Sequence, residues 1–366
     1  MLSLKQYGDG MMSHVKPLYP MVAGILVLSA LVVSAAAKDR PHVSGNPVLM
    51  LDGKNVGFIH SAEGGAIMAE VIREPAGPAY FLKKHIGMPR YEDLVMHVGF
   101  GMSKGVYEWI QQAWKGQNPR KTGSLVVADA QMQAQSEQKF FDATIASTTI
   151  PAVDATSKEP AYITLALAPA YTRIQKPVGK IAPAESGTGG QKVFLPFNFK
   201  LEIDGLDCSK VTRVESFTVK QTWQAGAAGS DRIQTVQPGK LEFPNLRITL
   251  AEANAQSFLD WHERFVIKGE NGDSAEKNGR LTLLTSNPQA ELLRIRFFNM
   301  GICGLQPEEI GRGADPVRQL MVEMYVERME FECVGAGGDS DSTGTTTPAA
   351  PATPAAPRNL APTRRG

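Results

Sequence analysis

An excess of one charge sign is missing from this chain of 366 residues, which carries 38 basic and 37 acidic residues for a formal net of +1. Without a basic excess there is no electrostatic footprint for nucleic acid as the main partner, and no sequence-specific recognition of it is expected. Cysteine is scarce. Cys208, Cys303 and Cys333 are the three present, and they read as buried thiols used as small hydrophobes. In an exported protein one pair could form a disulfide and leave an odd thiol; Cys208 with Cys333 is conceivable if the first and last strands of their domain are neighbours. The apolar run at residues 21–37 falls short of the roughly 20 residues of a comfortable membrane span.

Catalytic motifs are also missing. His262-Glu263 begins like a zinc-protease motif, but Val266 stands where the second His should be. Gly99-Phe100-Gly101 lacks the third Gly of a dinucleotide fingerprint, and the stretch 187–192 has the wrong spacing for a phosphate loop. No Gly-x-Ser-x-Gly elbow occurs. The six histidines, at 14, 42, 60, 85, 97 and 262, do not cluster with Cys or carboxylates at metal spacing. His97 falls on the polar side of its strand and reads as a surface or interface residue. Glu308-Glu309 and Glu330 with Glu332 read as solvated carboxylates rather than an acid–base pair. Catalysis, a cofactor and a bound metal are therefore not expected.

What is present is an internal echo. Tyr91-Glu-Asp-Leu94-Val-Met96-His-Val98 is matched by Phe243-Pro-Asn-Leu246-Arg-Ile248-Thr-Leu250. Leu94 to Trp109 spans 15 residues, and so does Leu246 to Trp261. Phe140-Phe141-Asp142 is matched by Phe297-Phe298-Asn299, and Ile145 by Ile302. The offset starts at 152 and drifts to 157, far longer than a solenoid period. It points to a duplicated small domain.

Each copy follows one plan. An apolar residue precedes an Asp-Gly turn, Leu51-Asp52-Gly53 or Ile203-Asp204-Gly205. A strand follows, clearest where Val214, Ser216, Thr218 and Lys220 alternate with Glu215, Phe217, Val219 and Gln221. Residues 72–90 and 222–240, rich in Pro and Gly, read as long hairpin loops. Next comes a strand with one buried face, Leu94, Met96 and Val98 or Leu246, Ile248 and Leu250. A short helix then shows Val106, Trp109, Ile110 and Ala113, or Phe258, Trp261 and Phe265, at helical spacing. Ser103 and Asn254 are its expected N-caps, and Gly116 and Gly269 its expected ends. The remainder alternates as strands. Leu94, Met96, Trp109, Phe140, Leu246, Ile248, Trp261 and Phe297 are the expected fold anchors.

The fold class implied is mainly β: two tandem small β-barrels or sandwiches, each with one short side helix. The expected layout is 1–37 signal peptide or N-terminal anchor, 47–174 first domain, 175–191 linker, 192–333 second domain and 334–366 tail. The lead has the basic-then-apolar pattern of a signal peptide, with Ala35-Ala36-Ala37 as a cleavage site. A start further downstream is the third alternative. The Pro/Ala/Thr-rich tail offers too few large apolar residues to fold.

The order of hairpin, strand, Trp-bearing helix and β meander resembles the contractile phage tail-tube proteins and the related tubes of type VI secretion and contractile injection systems. The stretches around Phe243 to Leu250, Leu259-Asp260-Trp261, Arg294 to Ile302 and Val317 to Phe331 carry the likeness. It covers most of 192–333 and, more weakly, 47–174. The resemblance implies a homo-oligomer assembling by sheet-edge pairing, three two-domain chains making a pseudo-hexameric ring, with sheath or baseplate proteins as further partners. The alternative is an exported β-rich binding or adhesion protein of the cell envelope, favoured by the signal-like lead and the tail. Location follows the lead: exported if it is a true signal, otherwise cytoplasmic assembly into a particle.

Overall fold

The computed structural model describes residues 45–75, 82–177, 179–184, 194–228, 234–285, 290–307 and 318–334. The signal-like lead, the tail from 335 on, the 187–192 stretch, Glu308-Glu309, His14 and His42 lie outside the described residues. Among the described residues no helix is long and apolar enough to cross a membrane.

The first half holds β1 (Asn46–Leu51), β2 (Lys54–Gly64), β3 (Ile67–Pro75), β4 (Leu82–Tyr91), β5 (Leu94–Val98), α1 (Lys104–Trp114), β6 (Lys121–Ala128), β7 (Ala134–Ile150), β8 (Val153–Asp154), β9 (Ile163–Ala168) and β10 (Tyr171–Gln175). The second half holds β11 (Phe199–Ile203), β12 (Val211–Val214), β13 (Phe217–Ala228), β14 (Gln234–Glu242), β15 (Leu246–Ala251), α2 (Gln256–His262), β16 (Lys277–Leu284), β17 (Glu291–Pro307) and β18 (Gln319–Cys333). The protein is mainly β.

In the first half β1, β6, β7, β9, β5 and β2 pair in that order, and β1–β2 pairing closes a six-stranded barrel. The second half repeats the order as β11, β16, β17, β18, β15 and β12. There β11 and β12 do not pair among the described residues, and a half-barrel results. Closure removes exposed edges in the first half; β12 turns its free edge to β8 instead.

Alternation explains why these strands curl around a core. β5 buries Leu94, Met96 and Val98, and β15 buries Leu246, Ile248 and Leu250. Phe140 and Phe297 are fully buried on β7 and β17. One continuous apolar cluster runs through both halves, from Leu49 to Phe331.

The helices answer to each other in detail. Trp109 donates its indole N–H to Pro119 O at 2.9 Å, and Trp261 donates to Ala275 O at 3.2 Å. Lys121 lies over the Trp109 ring at 5.9 Å, and Lys277 over Trp261 at 5.5 Å. Gly116 and Gly269 follow the helices with φ of 73° and 70°, a conformation that glycine adopts without steric cost. The separation is 152 residues between the two tryptophans and 153 between the two glycines. The extra residue is absorbed by a π-helical turn at Glu263–Ile267 that extends α2.

Three expectations need correction. The segments 72–90 and 222–240 form hairpin strands β3–β4 and β13–β14 over most of their length rather than long loops. The helix α2 starts after Ala255, because a 3-10 turn at Glu252–Asn254 displaces Asn254 from the cap position; Ser103 does precede α1 but makes no capping bond. The strand through 214–221 breaks at Glu215 and Ser216, so β12 and β13 belong to different sheets. Of the segment 175–191, Lys180 bridges to Gln133 and Ile181 is buried beside Val48 and Val126.

Gly301 gives a local test. A Cβ there would overlap the Tyr325 ring, whose hydroxyl donates to Glu276 Oε1 at 2.7 Å. Gly301→Val is expected to destabilise by about 1–3 kcal/mol through displacement of that ring. A denaturant titration with an unchanged midpoint would contradict the packing.

Candidate assembly surface

The halves of the chain are joined by shared sheet. Beyond its pairing with β6, the end of β7 takes β13 on the same edge, with Phe217 opposite Ile150, Thr218 opposite Thr149, Val219 opposite Thr148 and Lys220 opposite Ser147. The Thr149 and Thr218 hydroxyls meet at 2.9 Å. β12 adds to β8 through Arg213 opposite Asp154.

Side chains seal the junction. Trp114 at the end of α1 meets Phe331 of β18 edge-on, with ring centroids 5.5 Å apart. Tyr107, about two helical turns earlier on the same face, donates to Gly99 O at 2.9 Å and accepts from Met102 N at 3.2 Å. Burial, then the nearby Cys333 thiol, push its hydroxyl well above the usual phenol range. So the first half's helix packs on the second half's last strand.

Asp154 accepts from the amide and hydroxyl of Thr156 at 2.8 and 2.6 Å and pairs with Arg213 at 3.6 Å. The Thr156 bonds, with Arg213 as a smaller influence, hold its carboxyl below the ordinary range. A lowered folded pKa stabilises above the ordinary carboxylate range and is lost as pH falls through the folded value. Asp154→Asn is therefore expected to cost about 1 kcal/mol or less at pH 7, because the pair is partly solvated. Its stability curve should merge with that of the unaltered chain once pH has fallen past the lowered folded value of this carboxyl; a constant gap across the acid range would remove the charge from the explanation.

The exposed surface is uneven. The hairpin β3–β4 stands as its own two-stranded sheet, and every residue of β3 is exposed. Ile67, Met68, Val71, Ile72, Ile86 and Met88 lie on it in the open. Apolar surface of this kind on a long strand with one edge unpaired among the described residues is an invitation to pairing. Away from the hairpin, Ile174 is 78% exposed at the end of β10, and Val266 and Ile267 are 42% and 64% exposed after α2.

The expected anchors are all placed inside. Leu94, Met96, Trp109, Phe140, Leu246, Ile248, Trp261 and Phe297 are buried, so none of them meets solvent. His97 is half-buried and contacts Thr164 Oγ1 through Nδ1 at 3.0 Å across β5–β9. His262 ends α2 and Glu263 pairs with Lys268 at 3.9 Å. Glu332 is held by Arg296 at 3.3 Å and Arg294 at 3.4 Å, and Glu330 pairs with Arg328. Glu202 bonds Arg280 and Lys200 at 2.6 and 2.9 Å, which lowers its carboxyl to about 2. It borders a shallow depression of about 360 Å³ with Asp204, Asn278, Arg296 and Phe298.

No disulfide joins Cys208, Cys303 and Cys333, and they are not the buried thiols expected: Cys303 is exposed and the other two are half-buried; burial pushes Cys208 up to about 11. The sequence reading took 72–90 for a loop rather than paired strands, and it passed over Trp114. Ile67, Ala69 and Val71, two residues apart, were the available signal for strand β3, and the apolar Met68 and Ile72 on its other face blur that alternation.

No protein-family model matches the chain, and no curated protein matches it significantly. Solved structures show a loose likeness. The anti-feeding prophage baseplate, 6-fold symmetrised, has 12% identity over 37% of this chain and 92% of its own, with a TM-score of 0.32. The tube-terminating cap of the anti-feeding prophage has 23% identity over 36% of this chain and 89% of its own, with a TM-score of 0.32. The sheath-tube complex of the extracellular contractile injection system PVC, in its extended state, has 12% identity over 37% of this chain and 88% of its own, with a TM-score of 0.28.

Proposed function

We propose that this chain is a structural subunit of a phage-tail-like tube or ring, built from two copies of one domain, and that it works by assembly rather than catalysis. The observation that carries this reading is the internal junction. One barrel accepts the hairpin of the next as an added strand, β13 on β7, and covers it with a helix, Trp114 on Phe331. A joint of this kind links unlike surfaces, so repeating it generates a closed ring or an open helix. Three chains would contribute six domains to a ring, and sheath or baseplate proteins are its natural neighbours. The sequence resemblance to tail-tube proteins selects the ring.

Electron microscopy and sedimentation of the purified full chain test this. Rings or stacked polymers are the expected result. Monomers at every concentration and ionic strength would sink the reading.

A further inference from the structure

We infer that the outer edge of β3 in the β3–β4 hairpin pairs with the open edge of β17 in a second copy of this chain, repeating the joint already made inside one chain. This rests on the reading of the chain as an assembling subunit, and adds which surfaces meet and in what register.

The two hairpins share one pairing register. Lys220 faces Glu242 and Trp223 faces Pro238 in β13–β14, as Met68 faces Arg90 and Val71 faces Ile86 in β3–β4; each residue pair differs by 152. The receiving strands agree as well. Thr148 faces Leu165 and Thr149 faces Thr164 in β7–β9, as Leu305 faces Val322 and Gln306 faces Met321 in β17–β18; each differs by 157.

The environments differ where it matters. Residues 147–149 of β7 are paired on both edges, by β9 and by β13. Residues 304–307 of β17 are paired by β18 alone among the described residues. β13 is paired on both edges, and β3 by β4 alone among the described residues. One half of the chain thus has the strand without its acceptor, and the other has the acceptor without its strand. A chain cannot satisfy both itself, but a second copy can.

The helix contact repeats the pattern independently. Phe331 is 1% exposed under Trp114. The residue 157 positions earlier is Ile174, 78% exposed, and the residue 152 positions after Trp114 is Val266, followed by Ile267 on the π turn. Both aromatic groups of the inner helix contact thus have apolar, exposed counterparts. The strand and the helix contact also assign the same donors: the second half of one copy offers β17 and α2, and the first half of the next offers β3 and β10. Transferring the inner register places Ala66 opposite Gln306, Ile67 opposite Leu305 and Met68 opposite Gly304.

Cross-linking reads this register directly. Thr218 and Thr149, the inner counterparts of Ala66 and Gln306, have touching hydroxyls, so cysteines at the outer pair stand within disulfide reach. Full chains carrying Cys303→Ser together with either Ala66→Cys or Gln306→Cys would be oxidised alone and mixed. The joint predicts a disulfide between copies only in the mixture, mapped to 66 and 306. It also predicts that Ile174→Glu, with an unchanged melting temperature, raises the concentration needed for assembly at least tenfold. Dimers from a single variant alone would show a contact between like surfaces and overturn the inference. So would assembly with no 66–306 disulfide and no effect of Ile174→Glu, while leaving the ring reading standing. A chain that never assembles would instead defeat the ring reading itself.

Discussion

Trp114→Ala is expected to lower the unfolding free energy by about 3–5 kcal/mol, the range for truncating a buried large aromatic. Trp114 is almost fully buried and lies against Phe331, which belongs to the other half of the chain. Truncation opens a cavity between α1 and β18 and removes an aromatic pair worth about 0.5–1.5 kcal/mol beyond its area. Because one apolar cluster spans both halves, the loss should lower a shared transition rather than melt one half early. A companion variant separates packing from polarity. The Trp114 indole N–H is buried without a partner among the described residues, and an unmet buried donor costs about 1–3 kcal/mol. Trp114→Phe keeps a ring against Phe331 and removes that donor, so it should lose far less than Trp114→Ala. Urea titrations followed by far-UV circular dichroism give both numbers. A loss below about 1 kcal/mol for Trp114→Ala would contradict the packed junction.

Phe297→Ala should be comparably severe, about 3–5 kcal/mol. Its ring is fully buried in β17 and meets Phe217 edge-on, at a centroid separation of 6.0 Å. Phe217 opens β13, the strand that adds to β7 of the first half. The cavity is therefore expected to loosen the sheet junction as well as the half-barrel. Hydrogen exchange reads this: amides of Thr218 to Lys220 should lose protection along with those of β17. Protection lost in β17 alone, with the junction amides unchanged, would confine Phe297 to its own half.

The strands and their buried faces could be read locally because period-two alternation is written into each segment. Leu94-Val95-Met96-His97-Val98 is an example, with Leu94, Met96 and Val98 fully buried. Trp109 and Trp261 were equally legible, since helical spacing places each on the inner face. The hairpins were harder. Pro75, Pro89, Gly87 and Gly239 punctuate them, and local turn signals outweighed the apolar run between them. The π turn at Glu263–Ile267 was hidden because one inserted residue leaves no mark on hydrophobic spacing until the following Gly269 is compared with Gly116.

By itself the sequence determined the class of fold, the strand and helix faces and the correspondence of its two long segments. Those follow from side-chain chemistry at short range, where periodicity and turn residues act. Tertiary structure alone decided which edges are filled. Backbone donors and acceptors are the same on every strand, so no residue of β7 or β17 announces its neighbour. The choice that pairs β13 with β7, buries Phe331 under Trp114, exposes Ile174 and leaves β3 and residues 304–307 with one edge unpaired among the described residues was made by three-dimensional closure.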